Sequence, residues 1–361
     1  MRLFKARYVQ SMEQSTLITG APGWLGTRFV RLLVNGNPDL PGMATPENHR
    51  QIRCLVLKGT PVRALQEISP RIQVFEGDVR DPRSLDDFFR GAENAVVFHM
   101  TGIIHPKRIH ELYDINVGGI QNVLKGALSA GARRLIAISS NSPAGFNPFP
   151  DHLFDERSPD NPYLNYGKSK KLMEDLVQEA FDSRKIDTVI LRPCWFYGPG
   201  QPARQTRFFR MIREGKVPIV GSGESKRSLS YIDNICQALI LAERAEAARG
   251  RIYWIADRRP YTMNEIVGTV ESLLEQEFGK QVAHRRMHLP GVVSEIASLV
   301  DKMIQGAGLY NQSLHVLSEM NKTIACSIAL AQKELGYDPK IDLEEGMRRS
   351  IRWCLDHGQP I

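Results

Sequence analysis

Short apolar runs alternate with segments of helical periodicity through the first 200 residues. Strands are predicted at residues 15–19, 52–57, 72–76, 95–99, 134–139 and 187–191. Helices are predicted between most of them, for example at 23–34, 82–90, 112–130 and 163–184. Strands that alternate with helices build a parallel sheet that is covered on both faces. The pattern therefore predicts an α/β fold with a doubly wound parallel sheet.

The regular alternation loosens beyond about residue 200. Short strands are predicted near 217–220 and 252–255, with helices near 203–214, 233–246, 262–276 and 292–304. We predict one large part at 15–200 and a smaller α/β part at 201–361, some segments of which return to the large part. Residues 1–14 carry charge but lack an apolar core of signal-peptide length, so they are predicted to form an N-terminal tail.

A glycine-rich turn follows the first predicted strand. The sequence runs from Gly20 through Gly23 to Gly26 and then into an apolar-periodic helix. Strand, glycine turn and helix form the context in which such a motif binds a dinucleotide. Gly20 suits the tight turn, Gly23 the approach to a pyrophosphate and Gly26 the close packing of helix on strand. The helix amino terminus offers free N–H groups to phosphate.

Tyr166 and Lys170 lie four residues apart in the helix predicted at 163–184. Residues at this spacing leave one helix face about a turn apart. An ammonium beside a phenol favours the phenolate, so Lys170 is expected to lower the pKa of Tyr166. Such a tyrosine can exchange a proton with a substrate hydroxyl.

Together these motifs resemble the extended short-chain dehydrogenase/reductases, in the NAD(P)-dependent epimerase/dehydratase and 3β-hydroxysteroid dehydrogenase-like group. The resemblance covers roughly residues 15–355 and makes the large part a Rossmann-type NAD(P)-binding domain and the smaller part mainly substrate-binding. Further landmarks appear in family order: Gly77-Asp78-Val79, Val96 to Gly102, Asn116 to Leu124, Ile138 to Ser140, Leu191 to Pro193, Tyr197 to Gly200 and the ending from Gly336 to Trp353.

The resemblance implies a site for hydride transfer between a nicotinamide and a substrate carbon. Ser140, Tyr166 and Lys170 would be catalytic, with Ser140 preferred over Ser139 by alignment of the following Ala144-Gly145. The residues expected to bind the cofactor are Gly20, Gly23, Trp24, Leu25, Gly26, Lys58, Asp78, Val79, Thr101, Gly102, Tyr166, Lys170 and Pro193. The residues expected to bind substrate are Asn116, Ser140, Trp195 and Arg227.

Cofactor preference depends on the end of the second strand. Members that prefer NAD place an acid there for the ribose hydroxyls. Here the sequence reads Leu57-Lys58-Gly59, with Arg63 soon after. A cation suits a 2′-phosphate, so NADP(H) is favoured, with NAD(H) as the alternative.

Two features give opposite indications of the substrate. Trp195 stands where sugar-nucleotide members usually carry an asparagine, which favours an apolar substrate such as a sterol or a long-chain ketone. Asp233-Asn234 also resembles the steroid branch. In contrast, the stretch Gly221 to Arg227 resembles the sugar-nucleotide branch, in which the arginine binds the diphosphate.

Composition and charge argue against several other classes of protein. The 361 residues carry a net charge of +7 and no apolar run long enough to span a bilayer. The basic residues are spread out, so a nucleic-acid partner is not expected. Five scattered cysteines lack metal-ligand spacing, which predicts no metal and a cytoplasmic location. Cys194 is interpreted as a packing residue.

We therefore expect an NAD(P)-dependent oxidoreductase that acts on a secondary alcohol or ketone. The alternatives are a nucleotide-sugar 4-epimerase or dehydratase with tightly bound NAD and a non-catalytic dinucleotide-binding sensor. The partners expected are a small-molecule substrate and a second copy of the chain, through helices 112–130 and 163–184. The apolar stretch 290–315 is interpreted as core or an oligomer interface, in preference to a hydrophobic lid or a membrane-surface contact.

Overall fold

A seven-stranded parallel sheet forms the centre of the protein in the computed structural model, which describes residues 14–361. The strands are β1 (Gln14–Thr19), β2 (Arg50–Val56), β3 (Gln73–Glu76), β4 (Val96–His99), β5 (Arg134–Ile138), β6 (Asp187–Pro193), β7 (Trp195–Tyr197), β8 (Pro218–Val220), β9 (Lys226–Arg227), β10 (Leu229–Tyr231), β11 (Arg251–Ile255), β12 (Tyr261–Thr262) and β13 (Met287–Leu289). The order in the central sheet is β3-β2-β1-β4-β5-β6-β11. This order confirms the predicted fold class.

Thirteen α-helices accompany the strands in the described part of the chain. They are α1 (Trp24–Asn35), α2 (Arg63–Gln66), α3 (Asp86–Phe89), α4 (His110–Leu112), α5 (Gly119–Ser129), α6 (Leu164–Asp182), α7 (Ala203–Arg213), α8 (Ile232–Arg244), α9 (Met263–Ser272), α10 (Val292–Gly306), α11 (Gln312–Glu319), α12 (Ala329–Leu335) and α13 (Leu343–Asp356). Two 3-10 turns, Pro82–Leu85 and Glu246–Ala248, and two π-helical turns, Tyr113–Gly118 and Leu273–Glu277, complete the set.

Both faces of the central sheet are covered by helices. Helices α1 and α8 pack on one face, and α3, α5 and α6 pack on the other. Adjacent strand residues therefore enter different cores: Ile18 packs with the first layer, and Leu17 packs with the second. Burial on both faces explains why the strands read as apolar runs with little alternation.

The position of β1 in the sheet indicates where a ligand would bind. Strand β1 lies between β2 and β4, so the chain winds outward in opposite directions from it. Ligands of such sheets bind beyond the carboxyl ends of the strands at this switch point. Gly20 and Thr101 both lie there, because they follow β1 and β4.

The second half of the chain contributes to both parts. Helix α8 and β11 join the central sheet layer, and Arg28 of α1 forms a two-point ion pair with the buried Asp233 of α8. The remaining strands pair as β7 with β10, β8 with β13 and β9 with β12. Helices α10 and α11 pack on each other, and α10 also contacts α6.

Most predicted bounds agree with the structure to within two residues. The helix predicted at 82–90 is instead a 3-10 turn followed by the single turn α3. The strands β7, β9, β10, β12 and β13 and the helices α2, α11 and α12 were not predicted. Strands of two or three residues carry no periodic pattern. The predicted tail lies outside the described residues except Gln14, which begins β1.

Candidate active site

The turn after β1 has no room for side chains. A Cβ on Gly20, whose φ is +77°, would lie 2.8 Å from the backbone carbon of Met100. A Cβ on Gly26 would lie 2.4 Å from the carbonyl oxygen of Gly20. Helix α1 therefore begins in contact with the β1 turn, as the motif predicted.

The amino terminus of α1 suits the pyrophosphate of a dinucleotide. Gly23 precedes the helix and has no side chain that could cap it, so the first N–H groups, those of Trp24 and Leu25 among them, are open to a ligand. The side chain of Trp24 instead donates from Nε1 to the carbonyl of Pro199 at 2.7 Å. The indole of Trp24 thus fixes the loop after β7, while its backbone belongs to the start of α1.

Ser140 and Tyr166 meet between β5 and α6. The Ser140 hydroxyl interacts with the Tyr166 phenol and lies 3.2 Å from the Ser142 hydroxyl. Ser139 places its hydroxyl elsewhere: it is buried without a hydrogen-bond partner among the described residues. The structure therefore brings Ser140, and not Ser139, to the tyrosine.

Lys170 lies one turn along α6 from Tyr166, with its ammonium buried. Its Nζ donates to the carbonyl of Ile138 at 2.8 Å, and burial lowers its pKa to about 8. Burial raises the pKa of Tyr166 to about 12, although the interaction with Ser140 opposes the rise. This result corrects the expectation of a lowered tyrosine pKa, because the loss of water around the phenol outweighs the neighbouring charges.

His99 ends β4 near Lys170. Its Nδ1 lies 2.9 Å from the Thr19 hydroxyl, and burial, followed by the charge of Lys170, lowers its pKa to about 3. His99 is therefore neutral at physiological pH and adds no charge to the site.

Asn116 lies in the π-helical turn at Tyr113–Gly118, a geometry often found at functional sites. Its Oδ1 accepts from the Ile103 backbone N–H at 2.9 Å, and its Nδ2 donates to the Ile103 carbonyl and the Ser169 hydroxyl. The side chain is buried and engaged in these bonds, and its contact with substrate stays a prediction. Asn116 instead ties the loop after β4 to α6.

The residues expected at the adenosine end lie near the carboxyl ends of β2, β3 and β4. Lys58 is exposed, and the Asp78 carboxylate pairs with Arg80. Val79 packs so closely on Gly119 that a Cβ there would lie 2.8 Å from it. Thr101 and Gly102 adjoin Gly20 and Asn116, respectively.

The residues expected at the substrate end surround β7. Pro193 ends β6, and the half-buried Trp195 contacts the edge of Phe208. Arg227 is buried, donates to the Glu319 carbonyl and has no carboxylate partner within 4 Å among the described residues. Cys194 is also buried, with its Sγ 3.6 Å from that of Cys326.

Three charged or aromatic side chains near Tyr166 were not predicted. Arg204 and Glu319 interact electrostatically with the Tyr166 phenol. The Tyr310 hydroxyl lies 2.6 Å from Nδ1 of His105 and interacts electrostatically with Tyr166 and Arg204. They come from α7, α11 and the loop before α11. Nothing in their local sequence marks them, since only the fold brings them together.

Comparison with known proteins places these features in a family. A sequence model of the NAD dependent epimerase/dehydratase family matches residues 16–256. An uncharacterized protein, y4nL, of Sinorhizobium fredii is 48% identical over 95% of this chain and 96% of its own. 3beta-Hydroxysteroid-dehydrogenase/decarboxylase isoform 1 of Arabidopsis thaliana is 28% identical over 95% of this chain and 80% of its own.

Two further comparisons involve sugar epimerases. The N-acetyl-alpha-D-glucosaminyl-diphospho-ditrans,octacis-undecaprenol 4-epimerase of Escherichia coli O157:H7 is 26% identical over 77% of this chain and 76% of its own. The solved UDP-glucuronic acid 4-epimerase of Bacillus cereus, in complex with NAD, has a TM-score of 0.73 at 20% identity over 95% of this chain and 99% of its own. Among residues 14–361, no helix has the length and apolar composition needed to cross a membrane. The chain is an enzyme of the NAD dependent epimerase/dehydratase family.

Proposed function

We propose that this protein is an NAD(P)-dependent oxidoreductase that interconverts a secondary alcohol and a ketone. One observation carries the proposal: the interaction of the Ser140 hydroxyl with the Tyr166 phenol, with Lys170 one turn further along α6. Ser140 follows β5 at the carboxyl end of the sheet, the same edge at which the glycine turn follows β1.

The proposed roles follow from protonation. The cofactor supplies or accepts the hydride. Because burial raises the pKa of Tyr166 to about 12, its phenol is protonated at neutral pH and can donate to a ketone oxygen during reduction. Ser140 would hydrogen-bond the same oxygen, and Lys170, anchored to Ile138, would hold the ribose and supply positive charge.

NADP(H) is the cofactor that the second strand favours. The exposed Lys58 follows β2 at the place where an acid would bind the ribose hydroxyls of NAD. Asp78, after β3, has its carboxylate occupied by Arg80. An exposed lysine at this place, with the nearby Asp78 carboxylate already paired, suits a 2′-phosphate.

An apolar substrate is supported by the surroundings of β7. Trp195 presents an aromatic ring that packs against Phe208, and no amide stands at this place. A ring suits the apolar body of a sterol-like alcohol or ketone. The similarity to a 3beta-hydroxysteroid-dehydrogenase/decarboxylase favours the same class.

A second candidate is a nucleotide-sugar 4-epimerase that retains NAD. Arg227 favours it, because a buried guanidinium without a carboxylate within 4 Å in the described chain suits a diphosphate. The likeness to the undecaprenol-linked sugar epimerase of Escherichia coli agrees with it. Both candidates need Tyr166.

Assembly and location stay predictions. We expect a homodimer through α5 and α6, with Leu172 of α6 among its exposed apolar residues. Light scattering of the purified protein would measure its mass. A cytoplasmic location is likewise expected from the unpaired cysteines.

The deciding experiment identifies the cofactor and then the reaction. Native mass spectrometry followed by denaturation shows whether NAD is retained, which would favour the epimerase. A protein without retained cofactor, with tighter binding of NADPH than of NADH and turnover of apolar ketones, would support the reductase. Tyr166→Phe should abolish turnover while cofactor affinity stays unchanged. Undiminished turnover in that variant would contradict both candidates.

A further inference from the structure

Helix α10 buries its polar face and exposes its apolar face. Ser294 and Asp301 are 0% exposed and Gln305 is 4% exposed. Ile296, Leu299 and Met303 are 58%, 62% and 68% exposed and lie on the opposite side. A surface helix normally has the reverse arrangement. These exposed residues form the α10 face, defined as Val292, Ile296, Leu299, Val300 and Met303. An exposed apolar patch of this kind marks a contact with a partner or a membrane.

Hydrogen bonds fix this orientation of the helix. The Asp301 carboxylate lies 2.8 Å from Nδ1 of His315, and Gln305 accepts from Asn165. Ser294 donates to the carbonyl of Ser318 at 2.8 Å. A rotation of α10 would leave these buried groups without partners, at a cost that apolar burial on one helix does not easily offset. The exposed apolar face is thus a stable feature.

The apolar surface continues beyond the helix. Leu309, 47% exposed, forms a bridge with Arg108, and Ile104, 42% exposed, lies in the same segment as Arg108. His105 of that segment contacts Tyr310 at 2.6 Å. These contacts place the loop after β4 beside the end of α10.

Exposed cations border this surface. The side chains of Lys302 in α10 and of Lys107 and Arg108 in the neighbouring loop form no ion pair with a carboxylate within 4 Å in the described chain. The acid of the helix's exposed side, Glu295, is paired with Lys322. The Glu111 carboxylate accepts from the backbone N–H of Lys107 at 2.9 Å and offsets part of this charge. The three cations leave the border positive overall.

We propose that the α10 face docks on the surface of an anionic lipid bilayer. Its apolar side chains would enter the boundary between headgroups and acyl chains, and Lys302, Lys107 and Arg108 would meet the lipid phosphates. Even with Leu309 and Ile104, seven apolar side chains are few compared with the roughly 20–30 residues a side of a standard protein interface. Two facing copies would also bring cationic borders together.

The docking surface adjoins the active site. Tyr310 follows Leu309, and Glu319 ends α11, which packs on α10; both interact electrostatically with Tyr166. An apolar substrate dissolved in the bilayer would therefore reach the site without crossing water. Docking itself does not depend on the proposed reaction, because it is measured without turnover.

Vesicle flotation of the full chain tests the proposal. Vesicles of phosphatidylcholine with phosphatidylglycerol should carry the protein, and pure phosphatidylcholine should carry much less. The double variant Leu299→Ser/Met303→Ser should bind at least about tenfold more weakly, and Lys302→Glu at least about fivefold more weakly. Phe149→Ser, which changes an exposed side chain that is 60% accessible outside the α10 face, should bind like the wild type.

Two results would overturn the proposal. One is no binding to anionic vesicles, or equal binding by the wild type and the double variant. The other is a dimer that the double variant dissociates while vesicles bind neither protein, since a second copy would then cover the face. Tyr166→Phe should float like the wild type and lack turnover, so a failure of the proposed reaction remains distinguishable from a failure of docking.

Discussion

Gln305 accepts hydrogen bonds from both nitrogen atoms of Asn165, at 3.2 Å from the backbone nitrogen and 2.9 Å from the side-chain amide. Asn165 lies between Leu164, whose φ is +50°, and Tyr166. A left-handed conformation costs a non-glycine residue roughly 1–2 kcal/mol. Helix α10 therefore helps to hold a strained turn directly before the proposed catalytic tyrosine.

We expect Gln305→Leu to misplace Tyr166. The backbone N–H of Asn165 would lose its acceptor inside the protein, which should lower the free energy of unfolding by about 1–3 kcal/mol. The turnover rate should fall more than substrate affinity, because the tyrosine acts in the chemical step. Urea unfolding and steady-state kinetics measure the two effects.

Gln312→Leu, at an exposed position of α11, is the matched control and should change neither quantity. If Gln305→Leu destabilises the protein with an unaltered turnover rate, the interaction is structural only.

The adjacent serines should respond differently to the same change. Ser140→Ala removes the hydroxyl that contacts the Tyr166 phenol and should lower the turnover rate about a hundredfold, as loss of a transition-state donor does. Ser139→Ala removes a buried hydroxyl that has no partner among the described residues, so activity should persist and stability should not fall. Equal losses in the two variants would contradict the assignment of Ser140.

The central sheet was predictable because local sequence determines its elements. A strand such as β5, Arg134–Ile138, is buried at every residue and therefore reads as an apolar run. The glycine turn was predictable for a similar reason, since Gly20 and Gly26 contact each other across six residues. Both are short-range features.

The environment of the site was less predictable because long-range contacts create it. The apolar period of α10 indicates a helix with two faces, but it does not tell which face packs inward. That depends on Asn165, which lies 140 residues from its partner Gln305. The direction of the Tyr166 pKa shift likewise depends on burial, which spacing to Lys170 alone does not reveal.

Gly26→Ala should impair cofactor binding. The new methyl group would lie 2.4 Å from the Gly20 carbonyl oxygen, so the turn that faces the pyrophosphate would have to move. We expect a loss of about 1–3 kcal/mol in stability and at least about tenfold in dinucleotide affinity, which equals 1.4 kcal/mol. Thermal unfolding and fluorescence titration with NADPH measure these losses.

Gly306→Ala provides the control. A Cβ on this helical glycine would meet no atom within 4 Å, so the variant should gain up to about 1 kcal/mol from helix propensity and bind NADPH normally. Normal NADPH binding by Gly26→Ala would rule out the proposed role of the turn.

The reduction rate should fall as pH rises through about 8. Burial lowers the pKa of Lys170 to about 8, so its ammonium loses its proton there, whereas Tyr166, with a pKa of about 12, keeps the proton it must donate. Because the proposed reaction needs both protonated groups, kcat/KM for ketone reduction should be level below this pH and fall about tenfold per unit above it. His99 has a pKa of about 3 and stays neutral throughout.

Two variants separate Lys170 from other sources of this profile. Lys168→Met removes an exposed lysine of the same helix and should leave the profile unchanged. Lys170→Arg keeps its charge at high pH, so any activity that it retains should lose the fall near pH 8. A wild-type profile that stays level to about pH 10 would show that turnover does not require the charge on Lys170.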